Sequence, residues 1–149
     1  MKIAIASDHA GLELKVELAR TLGKRGLEIQ DLGTHSNNSV DYPDFASQVA
    51  RSVQRGDAAL GVLICGTGVG MSIVANKYRG VRAALCHTEF EARMARAHND
   101  ANVLCLGQRT TGDGLASSVL EAFLDTAFEG GRHERRLQKI RDAELENQR

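Results

Sequence analysis

Aromatic side chains are scarce in this sequence: two Tyr, four Phe and no Trp make up 4% of 149 residues. So few flat rings leave little from which to build a base-stacking platform for single-stranded nucleic acid. Charge of one sign is also lacking, since 19 Lys and Arg stand against 19 Asp and Glu. A neutral total excludes a generic polyanion coat, although a local basic patch can sit inside it. The cysteines are only three, Cys65, Cys86 and Cys105. An odd count, spacings that match no zinc motif and a chain long enough to fold without bridges together point to a reducing compartment. No apolar run approaches the ~20 residues of a membrane span. The start, Met1 leading straight into a short strand-like segment, lacks the longer apolar stretch and cleavage site of a signal peptide. The expectation is a cytoplasmic, soluble chain with no membrane and no nucleic-acid partner.

What is present is an alternation of strand and helix signals. At 42% apolar and 26% charged residues, residues 1–149 read as one globular domain. Lys2–Ser7 reads as a buried strand, Gly11–Arg25 as a helix with Leu12, Val16, Ala19 and Leu22 along one stripe, and Leu27–Asp31 as a second strand. The single proline, Pro43, sits where a helix can begin, ahead of Ala46, Val49, Ala50 and Val53 at helical spacing. Ala59–Ile64 is a nearly continuous apolar run, as a strand covered on both faces requires. A helix over Met71–Lys77, a strand over Val81–Cys86, a helix over Thr88–His98 and a strand over Asn102–Leu106 follow. Helices over Gly112–Phe128 and His133–Glu146 complete the chain. The pattern predicts a Rossmann-like α/β fold, a doubly wound five-stranded parallel sheet in three layers. The last helix is charged on most faces and should lean on something else, such as a partner subunit.

In such sheets ligands bind beyond the carboxyl ends of the strands. There the sequence puts Ser7-Asp8-His9, the turn Cys65–Gly70 (CGTGVG), His87 and the loop Gly107–Arg109. Gly66, Gly68 and Gly70 alternate between a strand and a helix, so backbone N–H groups can converge on an anion at a helix N-terminus. That anion is either a phosphate or an oxyanion formed in a reaction. Met71 stands where a dinucleotide fingerprint needs its last glycine, no lysine precedes Ser72 as a P-loop requires, and Met71 also replaces the arginine of a cysteine-phosphatase loop. A nucleotide-binding regulatory module is therefore the weaker of two classes. Cys65 opens the turn, and a thiol flanked by free amides at a helix N-terminus has its thiolate favoured, which makes it a candidate nucleophile or base. Thr67 adds a hydroxyl. Asp8 suits both the crevice and a helix N-cap. His98 ends a helix, where an imidazolium is favoured and can donate a proton. Arg132 and Arg136 share a helix face and Arg109 lies beyond the fifth strand, an arrangement suited to bidentate phosphate binding. Between Arg132 and Arg141 five Lys and Arg stand against one Glu, a basic cluster concealed by the zero total. The five histidines share no metal-ligand spacing, so no metal is expected.

Five blocks in order, SDHAG, DYPDFA, ICGTGVGMSIVANK, ARAHNDANVL and EGGRHERR, are similar to the ribose/galactose isomerase family over nearly the whole chain. The resemblance implies an aldose–ketose isomerase that interconverts ribulose 5-phosphate and ribose 5-phosphate with neither metal nor cofactor. It implies Cys65 as the base and His98 as the acid/base that opens the furanose ring. Gly66, Thr67, Gly68, Val69 and Gly70 would hold the enediolate. Asp8, His9 and Asn99 would contact sugar or phosphate, and Arg109, Arg132 and Arg136 the phosphate, with help from His9. It also implies a homodimer or tetramer whose sites are each built from two subunits. A branch of the family without this cysteine carries glutamate at the position of Met71, so Cys65 with Met71 resembles the thiol-base branch. A six-carbon sugar phosphate, such as allose 6-phosphate or galactose 6-phosphate, is the alternative substrate.

Overall fold

The computed structural model describes residues 1–147. Its order is β1 (Lys2–Ser7), α1 (Leu12–Lys24), β2 (Glu28–Asp31), α2 (Tyr42–Gln54), β3 (Leu60–Cys65), α3 (Val69–Ala75), β4 (Ala83–Leu85), α4 (Glu89–Asn99), β5 (Val103–Gly107), α5 (Asp113–Asp125) and α6 (Arg132–Glu146). The five strands form one sheet in the order β2-β1-β3-β5-β4, and every pairing is parallel. The expected doubly wound α/β sheet is therefore observed. From β1 the chain steps outward to β2 and later back across to β3, so the crevice of the sheet opens between the carboxyl ends of β1 and β3.

Strand side chains alternate between faces, and the core divides accordingly. Ile3, Ile5, Val62, Ile64, Leu104 and Leu106 pack under α1, α4 and α5, with Phe123 fully buried among them. Ala4, Ala6, Leu63, Cys65, Val103 and Cys105 face the other way, against Val49 and Ala50 of α2 and Met71 and Ala75 of α3. Cys65 thus belongs to the α2/α3 face and ends the fully buried strand β3.

Three elements differ from the sequence expectation by two residues or more, among them α5, which ends at Asp125 rather than Phe128 because Thr126 is extended. The fourth strand contracts to Ala83–Leu85, because it is an edge strand paired only with β5. Outside that pairing the Asn76 side chain takes the place of a neighbour, accepting from Ala83 N at 2.8 Å and donating to Ala83 O at 2.9 Å. The glycine-turn helix starts at Val69, two residues before Met71, because Gly68 in the left-handed region already turns the chain into it. The last helix buries only His133 and Leu137, and its Ile140 and Leu145 stay exposed. No helix among the described residues is long and apolar enough to cross a membrane.

Candidate active site

The carboxyl end of β3 delivers Cys65 into the glycine turn. Its Sγ accepts a hydrogen bond from the Gly68 amide at 3.1 Å, and the residue is 6% exposed. Gly68 has φ +78, and a Cβ there would lie 2.9 Å from the backbone carbonyl carbon of Leu106. Only glycine gives the turn that aims this amide at the sulfur. The loop leaving β5 fastens the turn from above: Gln108 N donates to Cys65 O and Arg109 N to Gly66 O, both at 2.9 Å. The Arg109 guanidinium folds over Gly66, 3.2 Å from where a Cβ would be. Thr67 and Val69 are exposed at the mouth of the turn. The other two thiols are inert core groups: burial, then the charge of Glu91, pushes Cys86 up to about 12, and burial pushes Cys105 up as well.

Across the crevice, Asp8 follows β1. Its Oδ1 caps the turn at His9–Gly11, accepting from Ala10 N at 3.0 Å and Gly11 N at 3.1 Å. The cap expected of Asp8 is therefore made, at the carboxyl end of β1. His9 Nδ1 accepts from Val40 N at 3.2 Å, so the neutral ring carries its proton on Nε2 and offers a donor there. The loop supplying Val40 is anchored by Lys15, which is 1% exposed and binds Asp31 Oδ1 and Thr34 O, each at 2.7 Å. Tyr42, the first residue of α2, lies against the turn, since a Cβ on Gly70 would come within 2.6 Å of its ring. The sequence reading assigned Tyr42 no role, and a single tyrosine in a loop-to-helix step offers no periodic signal.

The remaining predicted residues are not in this cluster. His98 and Asn99 close α4, which runs back from the carboxyl end of β4 to the amino end of β5. Register pairs Cys65 with Gly107 and Gly61 with Val103, which sets Cys65 about 13 Å along the sheet from Val103. His98 lies beyond that amino end. Arg132 and Arg136, in the first turns of α6, are at the same end. Among the described residues Arg109, Arg132 and Arg136 pair with no carboxylate, unlike Arg25, Arg82, Arg96 and Arg141. A cleft of about 880 Å³ lies at this end, lined by Arg82, Asn99, Ile140 and Glu144 and not by Cys65.

Against His98 stands His133, with ring centroids 4.2 Å apart and planes 14° from parallel. Glu129 Oε2 is 3.9 Å from His98 Nε2 and 3.4 Å from His133 Nε2. The three ligand atoms lie within 4.8 Å of one another. Stacked rings, however, keep their in-plane lone pairs parallel, and a tetrahedral metal at about 2.0–2.1 Å would require them to converge. The cluster fits a metal poorly as it stands.

These two clusters can be set beside known proteins. The Ribose/Galactose Isomerase family model matches residues 3–140. Ribose-5-phosphate isomerase B of Escherichia coli K12 is 48% identical over 139 residues, 93% of each chain. The structure of the Clostridium thermocellum ribose-5-phosphate isomerase B superposes with a TM-score of 0.98 at 52% identity, covering 99% of both chains. That of the Mycoplasma genitalium enzyme, described with bound ribulose 5-phosphate, gives 0.93 at 47% identity over 97% of both. The chain belongs to the ribose/galactose isomerase family.

Proposed function

We propose that this chain interconverts ribulose 5-phosphate and ribose 5-phosphate, with Cys65 as the base. The observation that carries the proposal is the Cys65 sulfur held against the Gly68 amide at the β1/β3 crevice. A proton alpha to a carbonyl is weakly acidic, so an isomerase needs both a base and donors for the developing oxyanion. The Cys65 thiolate takes the proton from C2 of the open-chain aldose, the electrons move onto the carbonyl oxygen, and amides of Gly66–Gly70 stabilise the enediolate. Return of the same proton to C1, with transfer of a hydroxyl proton between the two oxygens, yields the ketose. Asp8 and the Nε2 donor of His9 line the crevice for sugar hydroxyls or phosphate. The M. genitalium relative described with ribulose 5-phosphate supports the five-carbon substrate.

Ribose 5-phosphate is mostly a closed furanose, and His98 is the proposed group that opens it. A second copy of the chain must then bring His98, Asn99, Arg132 and Arg136 to the Cys65 crevice, because their own crevice is out of reach along the sheet. Unpaired arginines and the exposed apolar faces of α6 (Ile140, Leu145), α3 (Ile73) and α4 (Phe90) are available for such an assembly. Isomerisation of ribulose 5-phosphate by the wild type and by Cys65→Ala is the test. Turnover should fall by about 10²–10⁴-fold, the usual contribution of a positioned base. Undiminished turnover in the variant would remove Cys65 from that role.

A further inference from the structure

Glu129 has no role in the reaction as derived above, yet its position is built with care. Its backbone N–H donates to Ala97 O at 3.0 Å, which locks the α5–α6 connection onto the residue preceding His98. Gly130 and Gly131 follow with φ +65 and +55, a reversal that side chains with a Cβ rarely adopt. That reversal starts α6 at Arg132 and seats His133 flat on His98. The Glu129 carboxylate then faces Nε2 of both rings. His133 is 3% exposed, and its Nε2 has no hydrogen-bond partner other than this approach at 3.4 Å.

We propose that Glu129 and His133 are positioning residues for His98, and that the stacked pair carries one proton, held for the furanose oxygen by the shared carboxylate. Two imidazolium rings 4.2 Å apart would repel strongly. The charged groups that face His133 decide which ring stays neutral. Burial foremost, then His98 and Arg132, with a smaller push from Arg136, disfavour its charged form, and Glu129 alone opposes them. His133 is therefore the neutral partner. It covers one face of His98 and leaves that ring, with Glu129 at its edge, as the one that gives and regains the proton. A carboxylate at the edge of the ring and a neutral ring on its face restrict the plane of an acid/base histidine, as an orienting group must. During ring opening, His98 gives its proton to the ring oxygen as the bond from C1 breaks, and that oxygen becomes the C4 hydroxyl. The C1 hydroxyl then returns its proton to His98 as the C1 carbonyl forms.

This inference rests on the isomerase reading, and its test separates the two. Glu129→Gln and His133→Gln are assayed on ribose 5-phosphate and on 4-deoxyribose 5-phosphate, an aldose lacking the hydroxyl that closes the ring. The expected result is a kcat on ribose 5-phosphate about tenfold lower or worse, a part of the roughly 10²–10⁴-fold that a positioned acid–base supplies. On the ring-less aldose both variants should match the wild type within about twofold, since the proton abstraction at Cys65 is untouched. An equal loss on both substrates would reduce the pair to packing between α4 and α6, and no loss on either would also overturn the proposal. A wild type that isomerises neither aldose would instead overturn the isomerase reading itself. Thermal unfolding of each variant distinguishes a misfolded chain from a mispositioned His98, and His133→Asn supplies a second, smaller replacement if His133→Gln fails to fold.

Discussion

A mixed assembly tests the division of labour most sharply. Cys65→Ala leaves a chain with an intact His98 end, and His98→Asn leaves one with an intact Cys65 end. The register of β3 on β5 separates Cys65 from Val103 by four residues, about 13 Å, and His98 lies farther still. General acids and bases act within roughly 3 Å of the proton they move. A pentose phosphate cannot bridge that span within one chain, so each variant alone should be nearly inert as a homo-oligomer. Unfolding the two together in equal amounts and refolding them should give about half mixed pairs, by random association of copies related by two-fold symmetry. Each mixed pair holds one site with both native groups and one with neither. Activity should therefore return to about 25% of wild type, half of the pairs contributing half of their sites. The assay is ribose 5-phosphate turnover before and after co-refolding, with each variant refolded alone as the control. Activity no higher than the mean of the two separate variants would refute the shared site.

Two further expectations follow from the turn and from the thiols. Gly68→Ala puts a Cβ at φ +78, 2.9 Å from the Leu106 backbone; with the amide swung off the Cys65 sulfur, kcat should drop about 10²-fold, the loss typical of one oxyanion donor, while an unchanged kcat would show that this donor is dispensable. Burial holds Cys86 protonated up to about 12, whereas in the unfolded chain a thiol ionises near pH 8.5. Its contribution to stability is thus whole at neutral pH and is lost as pH rises through the alkaline range, by up to about 1.4 kcal/mol per pH unit. Urea unfolding at pH 8 and pH 10 should show the decline for the wild type and a smaller one for Cys86→Ala.

The parts of this molecule that announce themselves in the sequence are local or periodic. The buried strand over residues 60–65, the glycines of the turn and the Thr88 cap of α4 could all be read directly, and the Thr88 Oγ1 does accept from Glu91 N. What could not be read depends on contacts between distant segments. Lys15 looks like a surface lysine on an amphipathic helix, yet it is buried because Asp31 and Thr34 O receive its ammonium. Tyr42 reaches the turn only because α2 packs on α3. His133 could not be singled out because its partners, His98 and Glu129, meet through a backbone bond from Glu129 to Ala97. The edge strand β4 is shorter than expected because the mostly apolar segment over residues 81–86 does not reveal which strand has only one neighbour.

The separation of Cys65 from His98 follows from the fold itself. In a parallel sheet each strand must be followed by a return crossover, so a helix that starts beside the carboxyl ends finishes at the amino ends. Cys65 is at the end of a strand and His98 at the end of the next crossover helix but one, so they lie at opposite ends of the sheet by topology rather than by accident of packing. Any chain of this fold that needs both groups on one small sugar must import one of them. Two-fold association solves this economically, because a single isologous contact delivers the missing end to both copies at once. The same contact would also bring the unpaired Arg132 and Arg136 to a crevice that holds an anion. Their mutual repulsion on a free α6 would then be relieved by the phosphate they bind, which makes assembly and substrate binding mutually reinforcing.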